Sequence, residues 1–216
     1  MTMLLGTQVA LFKVYGISSI ASVLLSSGEL TDETRINKRL ADTAILIATF
    51  VSNPVPPRSS SDESNDPRAA IALARTNYLH GKYRINNDDF LYNLALFMLE
   101  PIRWTARFNW RPLTPTEIKA IFILWTDIGR HMGLHNLWSS YEEMEVWADN
   151  YEAANMVPSE ASAKLARITT QHFLQRVPPK LGLQRLVFNV MLTVLDTRTR
   201  KAMQYAHYIP FQCRLY

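Results

Sequence analysis

The sequence predicts an all-α protein, and three observations carry this prediction. Apolar residues recur at intervals of three and four along most of the 216-residue chain, as they do on one face of an amphipathic helix. No segment alternates cleanly with a period of two, and the seven glycines leave few tight β-turns. Polar caps, prolines and glycines separate the periodic segments. We therefore expect one domain over residues 1–216 with about eight helices.

The helices predicted in the N-terminal half are bounded by recognisable stop and start signals. Gly28 ends the first, Pro54 stops the second, and Asn86 offers a cap for the fourth, which Pro101 should kink. The segment 53–67, NPVPPRSSSDESNDP, has little to bury and is expected to be a mobile loop within the same core. The predicted spans are 8–26, 32–51, 68–84 and 89–108.

The C-terminal half contains one strong helix signal and three weaker ones. Thr114 is a suitable N-cap, Pro115 suits the first helical position, and Glu117 can complete a capping box. This helix should reach about His131. The remaining predicted helices are 139–155, 159–176 and 182–203.

Composition and charge exclude several classes of protein. The formal net charge is +4, with no basic run of five or more, so we expect no nucleic-acid partner; peripheral contact with anionic lipid is the alternative. One cysteine, Cys213, cannot build a disulfide framework or a structural zinc site. No transmembrane segment or secretory signal is evident near the N-terminus, which gives a cytoplasmic location as the default.

His80 is the most informative residue of the chain because glycine follows it directly. A histidine in mid-helix can ligate the iron of a flat macrocycle such as haem, and the missing side chain of Gly81 would let the ring lie close. On spacing alone, a hydrogen-bonded core histidine is the more common role. Asn77 falls on the same side of the helix, where it would contact a ligand, orient His80 or bond a backbone carbonyl.

Arg39 and Thr43 form a second candidate group. They are four residues apart on a predicted helix and therefore share a face. With apolar neighbours, Arg39 is expected to point into a pocket, where it needs an anion such as a carboxylate or a haem propionate. An arginine at the protein surface is the alternative.

Glu100 and Arg103 interrupt an otherwise apolar helix beside Pro101. They are either a structural ion pair or part of a pocket, in which Glu100 would act as a base with a raised pKa. His131, at the end of another helix, is either close to a ligand or simply favoured there by the helix dipole.

Four motifs in order resemble a known family. They are KRLADT at 38–43, LHGKY at 79–83, the run 85–104 that ends in EPIRW, and LWTDIGRHMG at 124–133. Together they resemble the mpaB and rubber oxygenase catalytic-domain family, which includes latex-clearing proteins and fungal pathway oxygenases. The resemblance covers about residues 10–205.

The resemblance implies a globin-like helical fold that encloses one haem b, with His80 as the iron ligand and Asn77 and Gly81 beside the cofactor. It implies that Arg39 and Thr43 lie on the distal or propionate side. Rubber oxygenases carry a lysine before that threonine, and this chain has Asp42 instead. Glu29 and Glu33 are the nearest candidates for the family's distal glutamate.

The implied chemistry is an oxygenase reaction in which dioxygen cleaves a carbon–carbon double bond of an apolar terpenoid or polyketide–terpenoid molecule in fungal-type secondary metabolism. Hydroxylation, desaturation or rearrangement on the same haem fold is one alternative. A haem-free helical binding or assembly protein is another. Fungal relatives are often held at the endoplasmic reticulum by an N-terminal apolar segment, which we do not expect here, so the periphery of that membrane is the alternative location.

Overall fold

The computed structural model describes residues 2–53, 55 and 66–205, and side chains from residue 6 onward. These residues form ten α-helices and one 3-10 turn, and no β-strand occurs among them, which confirms the all-α prediction. Most of the segment 53–67, predicted to be mobile, lies outside the described residues, as does Cys213. The helices are α1 Thr2–Val14, α2 Ser18–Ser27, α3 Glu33–Ser52, α4 Arg68–His80, α5 Asn87–Phe108, α6 Pro115–His131, α7 Tyr141–Asn155, α8 Glu160–Leu174, α9 Leu183–Val194 and α10 Thr197–Ala202.

The first predicted helix is two helices, because the chain turns at Gly16. A Cβ placed on Gly16 would lie 3.1 Å from the Lys13 carbonyl oxygen and 3.1 Å from the Met156 side chain, so glycine permits a close approach there. The segments Gly6–Val14 and Ser18–Ser27 meet at 90°. Gly28 then ends α2 in the left-handed conformation, with φ of 73°.

The last predicted helix is also divided. Asp196 adopts an extended conformation and its carboxylate accepts a hydrogen bond from the backbone N–H of Thr199, which begins α10 as a separate helix. Residues 196–201, DTRTRK, contain no apolar side chain, so the apolar periodicity of α9 stops at this break. These two divisions account for ten helices where about eight were expected.

The helical contacts group the chain into two compact units, Met1–Thr7 with Asn37–Asp149 and Gln8–Ile36 with Asn150–Tyr216. In the first unit, α5 is the centre, since most of its residues from Leu91 to Ile102 are buried. Helix α6 packs on α5, and a Cβ on Gly129 would lie only 2.6 Å from Leu94 Cδ2. The arrangement as a single domain stays a prediction.

The second unit is built on α8. Helix α2 packs against α8, and α9 contacts both α8 and the 3-10 turn Lys180–Gly182. The core of this unit includes Ala21, Leu165 and Leu192, all nearly inaccessible to solvent. Unlike α5, helix α9 leaves much of its apolar surface exposed.

The described part of the chain contains no single helix that is long and apolar enough to cross a membrane. The bent pair Gly6–Val14 and Ser18–Ser27 reaches that length and composition only when its two helices are taken together.

Candidate functional site

His80 is the last residue of α4, which corrects the prediction of a mid-helix position. The Gly81 N–H still donates to the Asn77 carbonyl oxygen at 2.8 Å, but the Tyr83 N–H donates only three residues back, to His80, at 3.0 Å. Residues 81–84 are exposed and have no apolar face to bury, so the helix ends here rather than at 84.

Gly81 is exposed, and its closest approach is to the preceding turn of its own chain. A Cβ at this position would lie 3.2 Å from the Asn77 carbonyl oxygen and 3.9 Å from that of Tyr78. The contact that favours glycine here is therefore local. A role for it beside a cofactor stays a prediction.

The imidazole of His80 is largely buried and lacks hydrogen bonds. Its Nδ1 atom is inaccessible to solvent and has no partner among the described residues, and its ring packs against Phe90 with a centroid separation of 5.2 Å. Burial, and secondly the charge of Arg39, lower the pKa of His80 from 6.5 to about 4. The ring is therefore neutral at pH 7 and able to donate a nitrogen lone pair to a metal.

Arg39 and Thr43 lie on α3, and the structure brings Arg39 close enough to His80 for its charge to act on the imidazole. Both side chains are half-buried. The Thr43 hydroxyl donates to the Arg39 carbonyl oxygen at 2.8 Å, inside its own helix. No carboxylate among the described residues pairs with Arg39, so its guanidinium remains available for an anion.

Asn77 is committed to a backbone contact. Its Nδ2 donates to the carbonyl oxygen of His131 at 2.9 Å, so it joins α4 to the end of α6. This is the third of the roles expected for it, although the carbonyl belongs to another helix; contact with a cofactor stays a prediction. The ring of His131 turns back on its own helix, with Nδ1 2.9 Å from the Asp127 carbonyl oxygen.

Glu100 lies in a different set of contacts. Its buried carboxylate is 3.9 Å from Arg103, which also contacts Glu145 and Asp149 of α7 at 3.0 Å each. These contacts favour the structural ion pair over a base in a pocket. Its catalytic role stays a prediction, and Glu29, one candidate for the distal glutamate, accepts a hydrogen bond from Arg35 at 3.2 Å.

Two further features bear on ligand binding. A groove of about 460 Å³ follows α6, and its lining includes Ile123, Leu124, Asp127 and Arg130 but none of the predicted site residues. No group of three or more metal-ligating side chains occurs among the described residues. His80 would offer one imidazole nitrogen to a metal, and a single histidine of the protein can hold haem iron.

Sequence reasoning missed two contacts of this site. Phe90 lies in the first turn of α5, and the Asn86 cap that fixes this turn was the signal that could have placed it near His80. The backbone of 131–135 was missed because contacts between helix ends leave no periodic signal.

Comparison with known proteins identifies relatives across nearly the whole chain. The family model for the ER-bound oxygenase mpaB/B'/rubber oxygenase catalytic domain matches residues 2–212. The "ER-bound oxygenase mpaB'" of Penicillium brevicompactum is 34% identical over 92% of this chain and 48% of its own length. The "ER-bound oxygenase mpaB" of Penicillium roqueforti (strain FM164) is 34% identical over 92% of this chain and 68% of its own length.

A third relative, "ER-bound oxygenase mpaB" of Penicillium brevicompactum, is 32% identical over 87% of this chain and 50% of its own length. The chain thus spans about half the length of two of these relatives. No solved structure matches it. The family match and the three relatives agree with the four motifs in the sequence: the chain belongs to the ER-bound oxygenase mpaB/B'/rubber oxygenase catalytic-domain family.

Proposed function

We propose that this chain is a haem b-dependent oxygenase that acts on an unsaturated, apolar small molecule. The observation that carries the proposal is the imidazole of His80, whose buried Nδ1 has no partner among the described residues. Buried polar atoms in native proteins are nearly always satisfied, so this atom indicates a missing ligand. The half-buried guanidinium of Arg39, which no described carboxylate pairs, lies close enough to lower the pKa of His80 and adds support.

The residues present fit haem. His80 is neutral at pH 7 and would bind the iron, and Arg39 would pair with a propionate. Haem, when bound, would supply the redox-active iron that reaction of dioxygen with an organic substrate requires.

The protein's own contribution is to bind, to orient and to exclude water. Phe90 covers one side of the imidazole with an apolar ring, which keeps water from Nδ1 and the ring unprotonated. Arg39 also opposes protonation, since a second positive charge at the imidazole would lie close to its own.

For the reaction we propose oxidative cleavage, in which one dioxygen and one carbon–carbon double bond give two carbonyl groups. Atoms and electrons balance without a separate reductant. The names of the relatives support an oxygenase, and secondary metabolism is the setting we propose from them. Their description as ER-bound supports the periphery of the endoplasmic reticulum as the location, whereas the cytoplasm stays the prediction from the sequence.

The first experiment tests haem. The purified protein, reconstituted with haem, should show a Soret absorption band that His80→Ala abolishes. The matched control is His135→Ala, since only the backbone of that histidine contacts the site through Asn87. If wild type remains colourless, or if His80→Ala retains the band, the proposal is overturned and a haem-free binding protein takes its place.

The second experiment tests the reaction. Product mass from a prenylated alkene under labelled dioxygen should show two fragments, each with one labelled oxygen. One labelled oxygen in an intact product would indicate hydroxylation instead of cleavage. A product lighter by two hydrogens would indicate desaturation.

A further inference from the structure

We infer that Asn77 and Asn87 are positioning residues for His80: together they clamp the turn between α4 and α5 onto the segment 131–135 at the end of α6. The inference rests on the proposed function for its consequence at the iron. It depends on three hydrogen bonds, none of which involves the imidazole itself.

The first half of the clamp is Asn77. It lies three residues before His80, on the adjacent turn of α4, and its Nδ2 donates to the His131 carbonyl oxygen at 2.9 Å. His131 is the last residue of α6. The bond therefore holds the end of α4 against the end of α6.

The second half is Asn87, the first residue of α5. Its Nδ2 donates to the His135 carbonyl oxygen at 3.1 Å, and its Oδ1 accepts from the His135 backbone N–H at 3.1 Å. One side-chain amide thus pairs with both polar groups of one backbone residue. The two asparagines bracket residues 78–86, which include His80.

The segment that receives the clamp is itself fixed. After α6, the Leu134 N–H donates to the Gly129 carbonyl oxygen at 3.0 Å and the Gly133 N–H to that of Arg130 at 3.0 Å, which is the Schellman arrangement. Gly133 has a φ of 77°, a conformation that glycine adopts without a Cβ penalty. The anchor is therefore part of a closed helix end and not a free loop.

The clamp matters because His80 has no hydrogen bond to orient it. A metal-ligating histidine is commonly held by a hydrogen bond from its other ring nitrogen. Here neither ring nitrogen has a hydrogen-bond partner among the described residues, and the ring is held only by packing against Phe90. The direction of the imidazole then follows from the position of the backbone, which Asn77 and Asn87 set from both ends of the turn.

The experiment compares variants with a matched asparagine elsewhere. Asn77→Ala and Asn87→Ala remove the clamp; Asn155→Ala removes a bond of the same kind, from Nδ2 to the Tyr151 carbonyl oxygen at 2.9 Å, within α7. In the haem-free protein, amide hydrogen exchange at 81–84 should be about tenfold faster in the two clamp variants and unchanged in Asn155→Ala. In the haem-loaded protein, the clamp variants should show a shifted or broadened Soret band and about tenfold faster transfer of haem to an acceptor protein.

Asn87→Asp gives a graded variant, because it keeps the acceptor for the His135 N–H and loses the donor. It should fall between wild type and Asn87→Ala in both measurements. The clamp is overturned if Asn77→Ala and Asn87→Ala match Asn155→Ala in exchange and spectrum at equal loss of thermal stability. A colourless wild type would overturn the proposed function instead, and the exchange measurement would still decide on the clamp.

Discussion

The two buried polar regions of this protein differ in whether their groups are paired. In the second unit, buried Lys13 contacts Glu152 at 3.0 Å and Asp196 at 3.2 Å, and Glu152 also contacts Arg198 at 3.4 Å. In the first unit, His80 Nδ1 is buried with no partner, and no described carboxylate pairs with Arg39. The Lys13 network of the second unit therefore has its charges paired within the protein, whereas the His80 region of the first unit is where we propose that a ligand binds.

The pairing in the Lys13 network also shifts its ionisation. Burial by itself would raise the pKa of Asp196, but the charge of Lys13 and hydrogen bonds from Thr199 outweigh it, so the pKa lies below its usual 3.8. His80 shows the opposite case, because burial and Arg39 both act against its charged form. One region thus stabilises its charges, and the other keeps its main titratable group neutral.

The largest expected effect comes from breaking the paired region. Lys13→Met leaves the buried Glu152 carboxylate without its main partner and should lower the free energy of unfolding by about 3 kcal/mol, measured by urea denaturation. The control is Lys38→Met, because Lys38 forms an exposed ion pair with Asp42 on α3 and should cost under about 0.5 kcal/mol. Equal losses in the two variants would show that the Lys13 network does not behave as a buried one.

An effect of at most the same size is expected from acid in the haem-free protein. The folded pKa of His80, about 4, lies below the unfolded value of 6.5, so the unfolded state binds the proton first as the pH falls. The contribution of neutral His80 to the free energy of unfolding is fully present above pH 6.5. As the pH falls from 6.5 to 4, the free energy of unfolding should decrease by up to ~3 kcal/mol. Unfolding free energies measured at several pH values would check this.

The control for the acid effect is His80→Leu, which should remove most of the pH dependence between 6.5 and 4. The Lys13 network has a separate window, since the contribution of Asp196 is present above its unfolded pKa of 3.8 and is lost only as the pH falls below it. A pH dependence that is unchanged in His80→Leu would contradict the assignment.

The smallest expected effect concerns Arg39. Arg39→Leu should change the free energy of unfolding by less than about 0.5 kcal/mol, because no described ion pair is broken. It should raise the pKa of His80, although only in part, since burial is the larger cause of its depression. An NMR titration of the His80 ring proton in the haem-free protein would measure the change.

The control for Arg39 is Arg75→Leu. Arg75 lies on α4 over the exposed ring of Tyr78 and should leave the pKa of His80 where it is. If the pKa of His80 is unchanged in Arg39→Leu, the charge of Arg39 does not act on the imidazole, and one support for the haem site is removed.

The amino-acid sequence by itself determined the helical class, the capping box at Thr114 and the residues of the candidate site. Caps and periodicity are local, so Thr114, Glu117 and the end of α2 at Gly28 could be read directly. The break at Asp196 was not predicted, although residues 196–201 carry no apolar side chain; the cap that Asp196 forms with Thr199 shows where α10 begins.

Only the tertiary structure decided how the site residues are used. It ended α4 at His80, brought Arg39 from α3 to act on it, and engaged Asn77 with a carbonyl 54 positions away. It also placed Glu100 with Arg103 and the carboxylates of α7. The physical reason is that pairing and burial depend on contacts between distant segments, whereas helix propensity and capping act within a few residues.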